Sequence, residues 1–393
     1  MKPSKRLSSL SSAIFTKMNQ RKREVEQRGI QVIDLGIGSP DQPPAPHIID
    51  AMVKAVQNLA NYRYPTSEGS LLFRQTVAQW YQYRFGVELV PETEVLSLMG
   101  SQDGLSHLAL AWVDPGEIVL VPDPGYPIYS ASVSLAEGVI YPLALKEENG
   151  YLPDLNQIPE DICEKAKMMI LNYPNNPLAA TADVEFFTEV IAFAKKHDII
   201  VVHDLAYSEL AFNDYHPQSI LEVPGAKDIA IEFNSLSKSF NLAGCRIAYV
   251  VGNEEILKPL KVLKSNIDYG VFLAVQEAAI TAMKMDMEQG GPNPNAQVYE
   301  RRRNCLVEGL KEIGWDIASP KATMFVWAKV PVGYSSTEFA FTLLDQAGVI
   351  MIPGNAFGEQ GEGYVRIALV QEEDVLGEVV KRIDQSGILK VKK

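Results

Sequence analysis

Asn234-Ser235-Leu236-Ser237-Lys238-Ser239-Phe240-Asn241-Leu242-Ala243-Gly244-Cys245-Arg246 decides how the rest of this chain is read. It follows the apolar run Ile229-Ala230-Ile231 and sets a lysine among small hydroxyl residues, with an arginine eight positions on. A lysine amine at the mouth of a buried site can form an imine with an aldehyde. Neighbouring serine hydroxyls and a guanidinium can hold a dianion through charge-assisted hydrogen bonds. Alone, the stretch reads equally well as a solvated loop lysine. Its meaning depends on what lies at the ends of the other strands.

The middle of the chain alternates short apolar runs with amphipathic stretches, the pattern of βα units around a mainly parallel sheet. Strands are expected at 94–99, 118–122, 168–172, 199–203, 229–233 and 247–251, with segments such as Val184–His197 as helices. Five of these runs end in polar clusters: Gly100-Ser101-Gln102, Asp123-Pro124-Gly125-Tyr126, Asn172-Tyr173-Pro174-Asn175-Asn176-Pro177, Asp204-Leu205-Ala206-Tyr207, and Ser235 to Lys238. In doubly wound sheets ligands collect at the carboxyl ends of the strands, so such clusters converge. The cluster Gly290-Gly291-Pro292-Asn293-Pro294 interrupts this order. Beyond it come a helix from about Ala296 and strand-like runs at 324–330, 349–352 and 364–369, a smaller α+β block. The expected organisation is an arm over residues 1–45 joining the small unit, a large unit over 46–289 and a small unit over 290–393.

Bulk properties narrow the function. The 393 residues exceed one ordinary core. With 47% hydrophobic and 22% charged residues the composition is that of a soluble globular protein. A net charge of −13 argues against nucleic-acid binding, because no basic surface answers a phosphate backbone. Arg21-Lys22-Arg23 runs into Glu24 and Glu26 and reads as a solvated helix face. Cys163, Cys245 and Cys305 show no paired spacing, which speaks against a disulfide framework or a zinc site. Lys2, Lys5 and Arg6 precede no apolar core, and no apolar stretch is long enough to span a bilayer. A cytoplasmic location is the expectation.

The motifs together resemble class I, fold-type I aminotransferases that use pyridoxal phosphate, over almost the whole length. The matching stretches are Asp34-Leu35-Gly36-Ile37-Gly38-Ser39-Pro40-Asp41, Tyr64-Pro65-Thr66-Ser67-Glu68-Gly69, Gly100-Ser101-Gln102-Asp103-Gly104, Pro124-Gly125-Tyr126, the 172–177 loop, 204–207, 235–238 with Arg246, and Tyr364-Val365-Arg366. The wording of 148–155, 171–177 and 203–209 is similar to the LL-diaminopimelate members of that family.

The resemblance implies a large cofactor-binding domain with a mainly parallel sheet plus a smaller α+β domain. It implies that Lys238 carries the cofactor as a Schiff base and then moves a proton, while Asp204 keeps the pyridine nitrogen protonated. A helix cap is the competing role for Asp204. Tyr207 and Asn176 would bond the cofactor's phenolic oxygen, although Asn176 before Pro177 also suits an ordinary turn. Ser101, Gln102, Ser235 and Arg246 would hold the phosphate at a helix start, joined by Tyr64 from the neighbouring subunit of a homodimer. Tyr126 would stack on the ring, with a packed core tyrosine as the alternative. Arg366 would clamp the substrate carboxylate, with Ile37, Gly38 and Asn355 beside the substrate. No metal is implied.

Departures from the family wording are Leu178-Ala179 for Thr-Gly, Gln102 for a lysine, Cys245 for a tryptophan, and Tyr269 where diaminopimelate members carry a serine. The expected reaction moves an amino group between an amino acid, LL-2,6-diaminopimelate foremost, and a 2-oxo acid, with 2-oxoglutarate/glutamate as the second pair. Broader alanine, aspartate or aromatic transamination, a C–S lyase using the same lysine, and a non-enzymatic binding module are the alternatives.

Overall fold

The computed structural model describes residues 4, 6, 7, 10, 13–291 and 293–390. Lys2, Lys5 and Pro292 of the sequence reading lie outside the described residues. After a helix at Ala13–Gln27 comes the short strand β1 (Ile33–Asp34). Seven strands follow: β2 (Val95–Leu98), β3 (Ile118–Asp123), β4 (Val139–Ala144), β5 (Ala166–Asn172), β6 (Ile200–Asp204), β7 (Ala230–Ser235) and β8 (Ala248–Gly252). They form one sheet in the order β2-β8-β7-β6-β5-β3-β4. All are parallel except β8, which runs against β2 and β7.

Both faces of this sheet are covered, so its central strands are apolar throughout. Val119, Val121, Met168 and Ile170 pack on one face with Leu105, Leu108 and Val133. Leu120, Met169 and Leu171 pack on the other with Phe187, Val190 and Ile191 of helix Val184–His197. That helix begins at Asp183, whose side chain accepts the Phe186 N–H at 2.9 Å.

β4 is absent from the sequence expectation. It lies at the sheet edge, exposes Val139 and Ile140, and contains Pro142, so the alternating apolar signal of a half-buried strand is missing. The expected strand at 349–352 is divided. β9 (Phe325–Lys329) lies first in sequence; then β10 (Val349–Ile350) pairs in parallel with β1. β11 (Ile352–Pro353) joins an antiparallel sheet with β12 (Tyr364–Ala368) and β9. Part of the 290–294 cluster is a helix start rather than an interruption. Asn293 caps the helix Pro294–Glu312 by accepting the Asn295 N–H at 2.9 Å, and proline suits a first helical position.

The segment before the large sheet is tied to the residues that follow it by named bonds. Arg302 is fully buried and forks onto Asp41 at 2.7 and 2.9 Å; it also donates to Glu372 at 2.9 Å and to the Leu369 carbonyl at 3.1 Å. Arg21 reaches Asp345 at 2.8 and 2.9 Å. Asp41→Ala strands most of a buried cation and is expected to lower unfolding stability by about 2–4 kcal/mol, less than for a wholly buried pair because Asp41 keeps one edge in solvent. Asp345→Ala, which breaks exposed pairs, is expected to move a denaturant midpoint far less. Urea titrations of both variants check the contrast.

Candidate active site

Ladder register explains why the polar strand ends meet. Asn172 of β5 lies beside Asp204 of β6, Asp204 beside Phe233 of β7, and Ser235 beside Ala248 of β8. Strand ends separated by dozens of residues in sequence therefore open onto one cavity of about 670 Å³. This falls within the range of small-molecule and cofactor sites.

Lys238 reaches that cavity through one helical turn, Leu236–Ser239, which Ser235 starts by accepting the Ser237 N–H at 3.2 Å. Its Nζ donates to the Gly38 carbonyl at 2.7 Å. Burial first, then the positive charges of Arg366 and Arg246, push the amine down to about 8. A lysine so placed is substantially neutral in mildly alkaline solution, which is the reactive form of an amine nucleophile.

Asp204 lies on the same wall. Its Oδ2 accepts the Tyr129 hydroxyl at 2.8 Å and its Oδ1 the Ala206 N–H at 3.2 Å. Burial pushes this carboxyl above the usual range. No basic side chain forms an ion pair with Asp204 among the described residues, so a cationic N–H donor is the ligand group that would stabilise its charge. Asn172 fixes the neighbouring loop: its amide donates to the Asp204 carbonyl at 2.7 Å, and its oxygen accepts the Asn176 N–H at 2.8 Å.

Arg366 presents the opposite demand. It is 5% exposed, with its guanidinium carbon 4.3 Å from the Phe325 ring centroid and 4.7 Å from that of Phe357. It donates to the Asn176 side-chain oxygen at 2.9 Å and to the Gly36 carbonyl at 2.8 Å, while its Nε has no partner. Burial pushes it down to about 10. A buried cation facing two neutral acceptors and no carboxylate is prepared for an anionic ligand.

At the other end, helix Ser101–Trp112 points its N-terminus into the cavity from Gly100. Gly100 has φ +86°, and a Cβ there would collide with the Arg246 guanidinium. The close approach leaves backbone N–H groups, Ser101, Ser235, Ser237 and Arg246 around one concavity. Tyr126 donates to Gln102 at 3.1 Å and meets Tyr129 edge to face at 5.8 Å. Tyr207 is buried against the Phe325 edge at 5.7 Å, and burial raises its hydroxyl far above the ordinary tyrosine value. Ile37 and Gly38 also form part of the wall.

Two residues singled out from the sequence lie outside this wall. Tyr64 is 86% exposed and packs on Tyr269 with centroids 5.2 Å apart. Asn355 turns its amide to Thr337 at 3.0 Å and Glu362 at 2.9 Å. Conversely, Tyr129, Asn172, Ser237 and the N-terminal-helix residues Phe15, Met18 and Asn19 border the cavity without having been chosen. Tyr129 sits one helical turn past Tyr126, a spacing that could have exposed it. The N-terminal-helix residues are brought in by a tertiary contact for which the sequence carries no local signal.

A lysine nucleophile, an unpaired carboxylate and a cationic cup at a helix N-terminus are the parts a pyridoxal-phosphate enzyme needs, and the class I and II aminotransferase model matches residues 30–383. The chain belongs to this family, and it is a pyridoxal-phosphate-dependent aminotransferase. It is similar to the LL-diaminopimelate aminotransferase of Moorella thermoacetica, 47% identical over 98% of each chain, and to that of Aquifex aeolicus, 46% identical over 97% of this chain and 98% of the other. Among solved structures it resembles substrate-bound BacF from Bacillus subtilis, with a TM-score of 0.94 and 37% identity over the whole of both chains. An aspartate aminotransferase double mutant from Thermus thermophilus superimposes with a TM-score of 0.90 at 25% identity, over 98% of this chain and 100% of that one.

The lysine's depressed pKa has a measurable consequence. In cofactor-free protein, formation of the Schiff base with added pyridoxal phosphate is expected to accelerate as pH rises through about 8, because the neutral amine fraction grows there. Borohydride reduction followed by peptide mapping should place the label on Lys238, and Lys238→Ala should take up no reducible cofactor.

Proposed function

We propose that this enzyme transfers an amino group from LL-2,6-diaminopimelate to 2-oxoglutarate, reversibly, as a step of lysine biosynthesis. The observation that carries this reading is the identity of 44–47%, over nearly the whole chain, with relatives bearing the diaminopimelate aminotransferase name. A broader donor range is the second reading; a solved neighbour named as an aromatic aminotransferase, from Pyrococcus horikoshii, superimposes with a TM-score of 0.85 at 27% identity.

Pyridoxal phosphate, when bound, supplies an aldehyde that captures the donor amine and a ring that takes up the electrons released at its α-carbon. The chain's own residues do the rest. Lys238 would hold the cofactor through its amine, and the same amine is placed to carry the proton at the donor's α-carbon. Asp204 would hold a proton on the ring nitrogen, a cationic partner of the kind that favours the ionised carboxyl that burial disfavours. Tyr207 and Asn176 would hydrogen-bond the phenolic oxygen. Ser101, Gln102, Ser235 and Arg246 would hold the phosphate, while Tyr126 would pack against the ring. Arg366 would exchange its neutral contacts for a bidentate grip on the donor's α-carboxylate, with Ile37 and Gly38 over the substrate.

The active unit in this reading is a homodimer. Leu59, Tyr62, Tyr64, Leu71, Leu72 and Tyr269 are all exposed, and a second copy would cover them and deliver Tyr64 to the partner's phosphate cup. The arm at 1–45, the large unit at 46–289 and the small unit at 290–393 are the division that best accounts for the separate sheets. No described helix is long and apolar enough to cross a membrane. A cytoplasmic location fits the biosynthetic role.

A donor panel tests the substrate. With 2-oxoglutarate as acceptor, LL-2,6-diaminopimelate should give the highest kcat/KM among diaminopimelate, alanine, aspartate and phenylalanine; a higher value for another donor would replace this reading. Release of pyruvate from cystathionine without any oxo acid would instead indicate a lyase. Arg366→Lys retains the charge but loses the fork, so the donor KM should rise about 10–100-fold with a smaller change in kcat. Steady-state kinetics at saturating and limiting donor separate the two effects.

A further inference from the structure

Asp204 is preceded on β6 by a second titratable residue that the transamination chemistry does not use. His203 is fully buried, and strand alternation turns it to the face opposite the cavity, where it meets the Phe187 ring at 4.9 Å. Its Nε2 lies 3.0 Å from the Tyr173 carbonyl oxygen and its Nδ1 2.7 Å from Oε2 of Glu232. A carbonyl oxygen can only accept, so Nε2 carries a proton.

The state of the pair then depends on the proton between Nδ1 and Glu232. Glu232 is also fully buried and receives three further hydrogen bonds: from the Tyr81 hydroxyl at 2.8 Å, the Ser219 hydroxyl at 2.6 Å and the Ile220 N–H at 2.9 Å. Donors converging on a carboxylate favour its anion, which places the shared proton on the imidazole. The contact is then an imidazolium–carboxylate pair.

We propose that His203 is a cationic positioning residue: paired with Glu232, it locks the ends of β5, β6 and β7 together and presents its positive charge behind Asp204, holding that carboxylate ionised for the cofactor's ring nitrogen. The inference rests on the assignment of Asp204 to that nitrogen. Three placements support it. The Tyr173 carbonyl belongs to the loop that carries Asn176, His203 adjoins Asp204 in sequence, and Glu232 lies on the strand that leads to Ser235 and Lys238. The histidine is the nearer member of the pair in the fold, since it adjoins Asp204 on β6 while Glu232 stands on the neighbouring strand as its ladder partner.

Neutron diffraction from the deuterated holoenzyme reads the proton positions without altering the protein. Deuterium on both His203 nitrogens is expected; deuterium on Glu232 Oε2 with a bare Nδ1 would overturn the proposal. His203→Gln keeps a donor for the Tyr173 carbonyl but removes the charge. It should bind pyridoxal phosphate about tenfold more weakly, the equivalent of one pKa unit, and shift the bound cofactor's visible band in the direction seen for Asp204→Asn. Wild-type affinity and spectrum in a folded His203→Gln protein would show that the histidine is only a structural filler. Should that variant fail to fold, the neutron map alone decides. If Asp204→Asn itself binds the cofactor with wild-type affinity and spectrum, the assignment of Asp204 fails, whatever the state of His203.

Discussion

Lys238, Arg246 and Arg366 share one cavity, and no carboxylate forms an ion pair with any of them among the described residues. This concentration of positive charge is the constraint on which the site depends. It lowers the lysine's proton affinity, and it leaves Arg366 with neutral contacts that an anion can displace. The chain as a whole carries a net charge of −13, so the cavity is a local inversion of the molecule's field. A phosphate and a carboxylate supply what the cavity lacks. Asp204, a carboxyl with no ion-pair partner among the described residues, stands in the same space and calls for the one positive group a pyridinium offers.

That arrangement needs rigid support, because like charges held close together would otherwise move apart. The support comes from paired strand ends rather than from the cavity residues themselves. Asn172 ties Asp204 to the loop of Asn176, and Ser235 starts the turn that aims Lys238. Arg366 is held from the other side by β12, whose neighbours β9 and β11 supply its backbone partners and whose aromatic surroundings keep water from the guanidinium. The Gly100–Arg246 approach shows how little slack remains, since even one methyl group at position 100 has no room.

Much of this was legible in the sequence because a parallel sheet writes its site at strand ends. Asp204, Tyr207, Lys238 and the 172–177 loop each follow an apolar run long enough to read as a strand. Arg366 stood out as one charge in an otherwise largely apolar run. What escaped had physical reasons. β4 is an exposed edge carrying a proline and lacks periodicity. Asn172 acts through backbone atoms of residues far away in the chain, which side-chain identity does not announce. Phe15, Met18 and Asn19 border the cavity because the N-terminal helix docks against distant elements, as Arg21 does on Asp345. Asn355 looked like a loop residue near the substrate, yet Thr337 and Glu362 engage its amide.

The pairing of β1 with β10 joins Ile33 to Val349 and Asp34 to Ile350, across the whole of the large sheet in sequence. During synthesis Ile33 and Asp34 emerge long before their ladder partners Val349 and Ile350. Contacts of such sequence separation form late, after the large sheet has had time to organise on its own. Gly38, whose carbonyl holds the Lys238 amine, lies just beyond β1. A nascent chain can therefore build its lysine turn before the segment that restrains the lysine has been anchored, so the reactive amine becomes an ordered one only after β10 has been made.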